Sequence, residues 1–219
     1  GRFETRPKIG DSPMATQIQI LKKYGLKIEG RLGQHLLIDP HIPGKMVDLL
    51  EVTEGSPVLE IGPGLGVLTQ RLLEKKASLI AVEKDRSFCE ILKKELPESK
   101  PGWTLLCQDI LDLDLKRYFP DQKVKVIGNL PYYITAPILF HLLEYRSSIS
   151  RAVLMMQKEV AARLVASPGG KEYGRLSVAI QYSANVRKAF DVSRSCFTPA
   201  PEVDSTVVVL DVVDRKGDP

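Results

Sequence analysis

A chain of 219 residues and 24.4 kDa can bury one substantial core with at most a small appendage. Hydrophobic residues at 43% and charged residues at 26% exclude a disordered or low-complexity chain, and no apolar run is long enough to span a bilayer. A net charge of +4 admits nucleic acid or another anionic partner without requiring one, because the effect depends on where the cations cluster.

Residues 1–30 read as an N-terminal extension, partly disordered. Residues 1–13 are polar, carry Pro7, Gly10 and Pro13, and precede Met14, which suits a native start behind added or unstructured residues. Glu4 and Asp11 argue against a targeting segment there. A short helix is expected within 12–25, leading into a basic approach of Lys22, Lys23, Lys27 and Arg31. From Asp39 or Pro40 the apolar spacing of Ile42, Met46, Val47, Leu49 and Leu50 predicts an amphipathic helix. Strands are expected over 57–61, 78–82, 103–107, 124–127 and 151–156, with helices over 65–74, 87–96, 136–143 and 158–165 between or after them. Thr135 is the expected cap of the 136–143 helix, which Pro137 can open. A helix over 175–182 then gives way to two strands, 184–192 and 206–213, joined by the loop 193–205. Alternating strands and helices followed by a hairpin-like pair predict one doubly wound α/β domain over 31–213. Its seven-stranded sheet would be mostly parallel with an antiparallel terminal strand, and 214–219 would be a frayed tail.

Cys89, Cys107 and Cys196 lack the paired spacing of a zinc site or a disulfide framework. Cys107 reads as a small buried hydrophobe, and the set suggests a reducing compartment. His35, His41 and His141 form no ligand constellation, so no metal is expected.

Two motifs carry chemistry. Glu60-Ile61-Gly62-Pro63-Gly64-Leu65-Gly66 places three glycines between a predicted strand and a predicted helix, where a backbone can approach a cofactor. The spacing is G-x-G-x-G, whereas the dinucleotide fingerprint is G-x-G-x-x-G, so an adenosine-bearing methyl donor fits better than NAD. Glu83, ending the second strand, can accept both ribose hydroxyls. Asp109, after the third, can receive an adenine amine, with Ile110 against the ring. The second motif, Asn129-Leu130-Pro131-Tyr132, follows the fourth strand. The oxygen of Asn129, with the carbonyl of Leu130 or Pro131, can accept hydrogens from a nucleobase amine while Tyr132 stacks on the base. The competing reading makes each of these a packed turn or a solvated strand end.

These two motifs resemble those of the ribosomal RNA adenine dimethyltransferase family. So do Leu32-Gly33-Gln34-His35-Leu36-Leu37, the run 156–164, Tyr173-Gly174-Arg175-Leu176-Ser177-Val178, and the run 197–205 that begins Phe197-Thr198-Pro199. Six motifs in family order over about 31–213 make the resemblance specific. It implies a Rossmann-like fold of the class I methyltransferases that use S-adenosylmethionine, leaving S-adenosylhomocysteine. It also implies methylation of N6 on two adjacent adenosines near the 3′ end of small-subunit ribosomal RNA. The substrate would lie within an immature ribosomal subunit, met by a monomer in the cytoplasm or in an organellar stroma or matrix. Gln34 and His35 would touch the methionine part with Gly62 and Gly64, and Leu37, Glu60 and Lys84 would complete the cofactor set around Glu83, Asp109, Ile110 and Asn129. Asn129, Leu130, Pro131 and Tyr132 would hold the target base, and Phe197 would be the second stacking ring; the competing reading puts Phe197 in the core. Lys22, Lys23, Lys27, Arg31, Arg163, Lys171 and Arg175 would meet RNA phosphates.

Two departures stand out. The family usually has Asn-Phe at the positions of His35-Leu36, and Leu36 keeps apolar bulk, so function is expected to be retained. The family also carries a smaller helical domain beyond the strand that ends at Val213, and its expected absence would leave a catalytic domain without that positioning module. The rival readings are a large-subunit RNA adenine methyltransferase, disfavoured by Leu130 and 173–178, and a non-catalytic RNA-binding relative, disfavoured by the intact Asn129, Glu83 and Asp109.

Overall fold

The fold was analysed in a computed structural model, which describes residues 13–26, 28, 35–96 and 102–213. In chain order the principal elements are α1 (Pro13–Tyr24), β1 (Leu36–Leu37), α2 (His41–Leu49), β2 (Pro57–Ile61), α3 (Val67–Glu74), β3 (Ser78–Glu83), α4 (Arg86–Glu95), β4 (Trp103–Cys107), α5 (Leu115–Tyr118) and β5 (Val124–Asn129). They continue as α6 (Thr135–Glu144), β6 (Ile149–Gln157), α7 (Lys158–Leu164), α8 (Arg175–Ser183), β7 (Ala184–Val192), β8 (Phe197–Thr198) and β9 (Ser205–Val212). No helix among the described residues is long and apolar enough to cross a membrane.

Seven strands form one sheet in the order β4-β3-β2-β5-β6-β9-β7. The pairs β3–β4, β2–β3, β2–β5 and β5–β6 are parallel, and β9 runs antiparallel to both β6 and β7. The chain therefore winds outward from β2 through β3 to β4, then returns to place β5 on the other side of β2. That reversal opens a crevice beyond the carboxyl ends of β2 and β5, where doubly wound sheets take their ligands. The two-residue strands β1 and β8 pair separately, Leu37 opposite Phe197.

Helices cover both faces of the sheet, so its central strands are apolar almost throughout. Alternation along each strand divides the core. Val58, Leu79, Ala81 and Ile127 face one way with α2, α3 and α4, while Leu59, Val82, Val126 and Leu154 face the other with α6, α7 and α8. Burying each such Leu or Val stabilises the fold by about 1.5–3 kcal/mol relative to exposure. Local hydrogen bonds set the helix starts. Asp85 accepts from the N–H groups of Ser87 and Phe88 at the head of α4, and Asp39 accepts from His41 and Ile42 at the head of α2. Thr135 does not cap α6 as expected: it is the first helical residue, and its hydroxyl donates to the Pro131 carbonyl.

The helix expected within 12–25 is α1, and it docks on the domain: Ile20 is buried with Leu36, Leu65, Phe88 and Ile91. Two further expectations are corrected. Cys107 is exposed rather than buried, and it forms a disulfide with Cys89, their Cα atoms 6.1 Å apart. Eighteen residues separate the two in sequence, and the packing of α4 against β4 closes that gap, so unpaired cysteines no longer argue for a reducing compartment.

Candidate functional site

A cavity of about 530 Å³ lies in the crevice at the carboxyl ends of β2, β3 and β5. Gly62, Gly64 and Gly66 follow β2 and all have positive φ, at 66°, 58° and 85°. A side chain is strained in that region, so the alternation of glycines is what turns the chain tightly between strand and helix. A Cβ on Gly62 would sit 3.8 Å from the Asn129 carbonyl oxygen, and one on Gly64 would sit 3.5 Å from a Leu36 methyl. The two sequence motifs therefore meet across the switch point.

Glu83 ends β3 with its carboxylate nearly buried and held from two sides. Gly64 N–H donates to Oε2 at 3.1 Å, and Asp85 N–H donates to Oε1 at 2.8 Å. Burial raises its pKa, and the backbone donors oppose that. Asp109, after β4, accepts from Leu111 N–H at 3.0 Å and pairs with Lys84 Nζ at 2.7 Å. Burial pushes its pKa upward, but the Lys84 ammonium and the Leu111 N–H outweigh it, and the net shift is down. Two carboxylates thus stand at the ends of neighbouring strands, with Ile110 lining the same cavity.

At the other wall, Asn129 Nδ2 donates to the His35 carbonyl at 3.3 Å. A carbonyl only accepts, so this contact fixes which end of the amide is nitrogen and leaves Oδ1 as its acceptor. The Pro131 carbonyl already accepts from Ile134 N–H and from the Thr135 hydroxyl. His35 Nδ1 lies 2.8 Å from the Pro199 carbonyl and must donate to it. The His35 ring is 5.5 Å from that of Tyr132, whose hydroxyl is 2.6 Å from Ser205 Oγ. Burial raises the Tyr132 pKa.

Twelve of the sequence-derived site residues line the cavity: His35, Leu37, Gly62, Gly64, Glu83, Lys84, Asp109, Ile110, Asn129, Leu130, Pro131 and Tyr132. Two do not. Glu60 is 0% exposed and faces α3, accepting from the Thr69 hydroxyl at 2.7 Å. It ties the glycine loop's helix to β2, and desolvation raises its pKa to about 8. Phe197 is 3% exposed and packs in the core with Leu37, Met46 and Val47, so it offers no face for stacking on a base. The aromatic that sequence reasoning passed over is Tyr133, which lines the cavity and is 59% exposed. The tandem tyrosines were the available signal, since a single turn after Pro131 presents two successive rings to different surroundings. Gln17 and Phe88 also line the cavity without having been singled out.

The expected phosphate contacts are dispersed. Lys27 and Arg31 lie outside the described residues, as does Gln34, which was expected at the methionine part of the cofactor. Lys22 is exposed on α1, and Lys23 is paired with Glu95 at 2.7 Å. On α7 Arg163 pairs with Glu159, on α8 the Arg175 guanidinium lies 5.5 Å from the Phe140 ring, and Lys171 is exposed between those helices. None of these described cations lines the cavity.

Comparison with known proteins gives a consistent result. A family model described as ribosomal RNA adenine dimethylase matches residues 25–218. The ribosomal RNA small subunit methyltransferase A of Alkaliphilus oremlandii is 44% identical over 207 residues, covering 93% of this chain and 71% of the relative. A dimethyladenosine transferase from Plasmodium falciparum superposes with a TM-score of 0.73 at 34% identity, over 82% of this chain and 64% of that one. The 23S rRNA methyltransferase ErmE superposes with a TM-score of 0.72 at 27% identity, over 82% of this chain and 70% of its own. The chain spans only part of each relative's length.

Proposed function

Because the chain belongs to the ribosomal RNA adenine dimethylase family, we propose that it transfers methyl groups from S-adenosylmethionine to N6 of two adjacent adenosines near the 3′ end of small-subunit ribosomal RNA. The observation that carries this reading is the meeting of Asn129 with the glycine loop at the switch point. That juxtaposition supports reading Asn129 as a planar acceptor for an amine and the glycine loop as a cradle for a methyl donor.

The residues present fit that donor. Glu83 is an acceptor for ribose hydroxyls, Asp109 an acceptor for the adenine amine, and Ile110 an apolar wall for the ring. The positive-φ glycines bare the backbone where the amino-acid end would lie, beside His35 and Leu37. When bound, S-adenosylmethionine supplies an electrophilic methyl on a positive sulfur, with a neutral thioether as the leaving group.

The chain's own part is alignment. Asn129 Oδ1 accepts one N6 hydrogen, which turns the nitrogen lone pair toward the glycine loop. The Pro131 carbonyl has both lone pairs engaged by Ile134 and Thr135, so the Leu130 carbonyl is the backbone acceptor for the second hydrogen. Tyr132 is held by Ser205 and by the neighbouring His35 ring, so it offers a fixed face to the base, and the exposed Tyr133 extends that face at the mouth. Holding the two reactants in line supplies much of the barrier reduction. Lys22, Lys171 and the partly engaged Arg163 and Arg175 remain candidates for phosphate contacts outside the cavity. The setting is an immature small subunit, reached by a monomer in whichever compartment assembles ribosomes.

The test offers radiolabelled S-adenosylmethionine with immature small subunits and, separately, with unmethylated large subunits. Label is expected in small-subunit RNA. Label confined to large-subunit RNA would overturn the substrate assignment.

A further inference from the structure

Gln17 is 3% exposed, lines the cavity, and has its Oε1 without a hydrogen-bond partner. Leaving such an acceptor dry costs about 1–3 kcal/mol, so an orphan inside a ligand cavity calls for an explanation. The position of α1 is not accidental. Gln17, Ile20, Leu21 and Tyr24 fall at helical spacing on one face, and Ile20 is packed with Leu36, Leu65, Phe88 and Ile91 while Leu21 and Tyr24 lie against that cluster. The Tyr24 hydroxyl donates to Glu95 at 2.7 Å, pinning the helix to the end of α4. Leu36, Leu65 and Phe88 are themselves lining residues. The inner face of α1 thereby packs on residues that line the cavity, and Gln17 on that face lines it directly.

From this geometry we infer that Gln17 is a cofactor-binding residue, its Oε1 accepting a hydrogen bond from a donor on the bound methyl donor. The chemistry required is a hydroxyl or ammonium hydrogen entering the wall between the glycine loop and the head of α4. A ribose hydroxyl and the amino group of the methionine part both supply it. This inference rests on the reading of the cavity as the S-adenosylmethionine site.

Gln17→Leu keeps the side chain's length and removes the orphan. Two signs are expected to oppose each other. The ligand-free variant melts at the same temperature as the parent chain or higher, because no buried acceptor is stranded. Its affinity for S-adenosylhomocysteine, measured by calorimetry, falls about fivefold or more, the loss of one hydrogen bond. A purely structural amide would give the reverse pattern: a lower melting temperature and unchanged affinity. Titration with 5′-methylthioadenosine, which lacks the amino-acid end, identifies the donor. An equal loss with both ligands assigns the ribose, and a loss with S-adenosylhomocysteine alone assigns the amino group. Affinity for both ligands within twofold of the parent chain would overturn the inference. Failure of the parent chain itself to bind S-adenosylhomocysteine would instead overturn the reading of the cavity.

Discussion

In the proposed transfer Asn129 carries the most weight, because its amide is oriented by the His35 carbonyl and lines the cavity. Asn129→Ala is expected to lower methyl transfer about 100-fold or more, as loss of a transition-state hydrogen bond does elsewhere, with S-adenosylhomocysteine affinity changed only a few-fold. Calorimetry beside single-turnover assays checks the split, and equal losses in both would recast Asn129 as a cofactor ligand alone. Glu60 makes a different kind of prediction. Its folded-state pKa of about 8 exceeds the ordinary 4.5, so the native chain keeps a proton that the unfolded chain releases. The stability this confers is complete below pH 4.5 and is lost as pH rises toward 8, at about 1.4 kcal/mol per pH unit. Glu60→Gln keeps an acceptor for Thr69 and is expected to remove that slope, gaining on the order of 4 kcal/mol relative to the parent chain near pH 8. Urea midpoints at acid and alkaline pH check it, and parallel curves for the two proteins would refute the assignment. Sequence alone placed Glu60 with the cofactor because it heads the glycine motif. Period-two alternation in β2 instead turns it toward α3, a face that a five-residue apolar strand does not declare. Phe197 went astray similarly: a motif aromatic in a predicted loop proved to belong to a two-residue strand, too short to show any periodicity.

The elements that position the site were legible where periodicity had room to act. The parallel strands, the glycine turn and the helices behind them follow from apolar runs bounded by Gly, Pro and Asp, and the reversed final strand follows from two consecutive strand signals. The pairing of β1 with β8 and the docking of α1 were not legible. Both depend on contacts between segments far apart in sequence, Leu36 with Thr198 and Ile20 with Phe88. One element-level constraint is sharp. A Cβ on Gly128 would lie 2.7 Å from the Ile61 carbonyl oxygen and 3.1 Å from the Ile61 Cβ, so β5 can approach β2 at the crevice only without a side chain there. Gly128→Ala is expected to destabilise the fold by about 1–3 kcal/mol and to weaken S-adenosylhomocysteine binding by spreading the two strand ends. Thermal unfolding with and without that ligand checks both effects. Unchanged values in each would mean that the strands separate freely at this point.

Across the whole molecule, the cofactor cradle is compact and built from adjoining strand ends, whereas the cations assigned to RNA are spread over α1, α7, α8 and the segment between the last two. The domain is therefore expected to hold S-adenosylhomocysteine with little dependence on salt while its RNA affinity falls steeply as salt rises. Filter binding and calorimetry across a salt series distinguish the two, and an RNA affinity insensitive to salt would remove the phosphate contacts from the account. In the proposed reaction one crevice aligns a methyl donor with the N6 amine of an adenine drawn from small-subunit RNA. Its most direct test is to incubate the protein with S-adenosylmethionine and immature small subunits, then map and count the methyl groups by mass spectrometry of the RNA. Two adjacent adenosines near the 3′ end, each carrying two methyl groups on N6, are the expected result. Methylation at another position, on another atom, or not at all would contradict it.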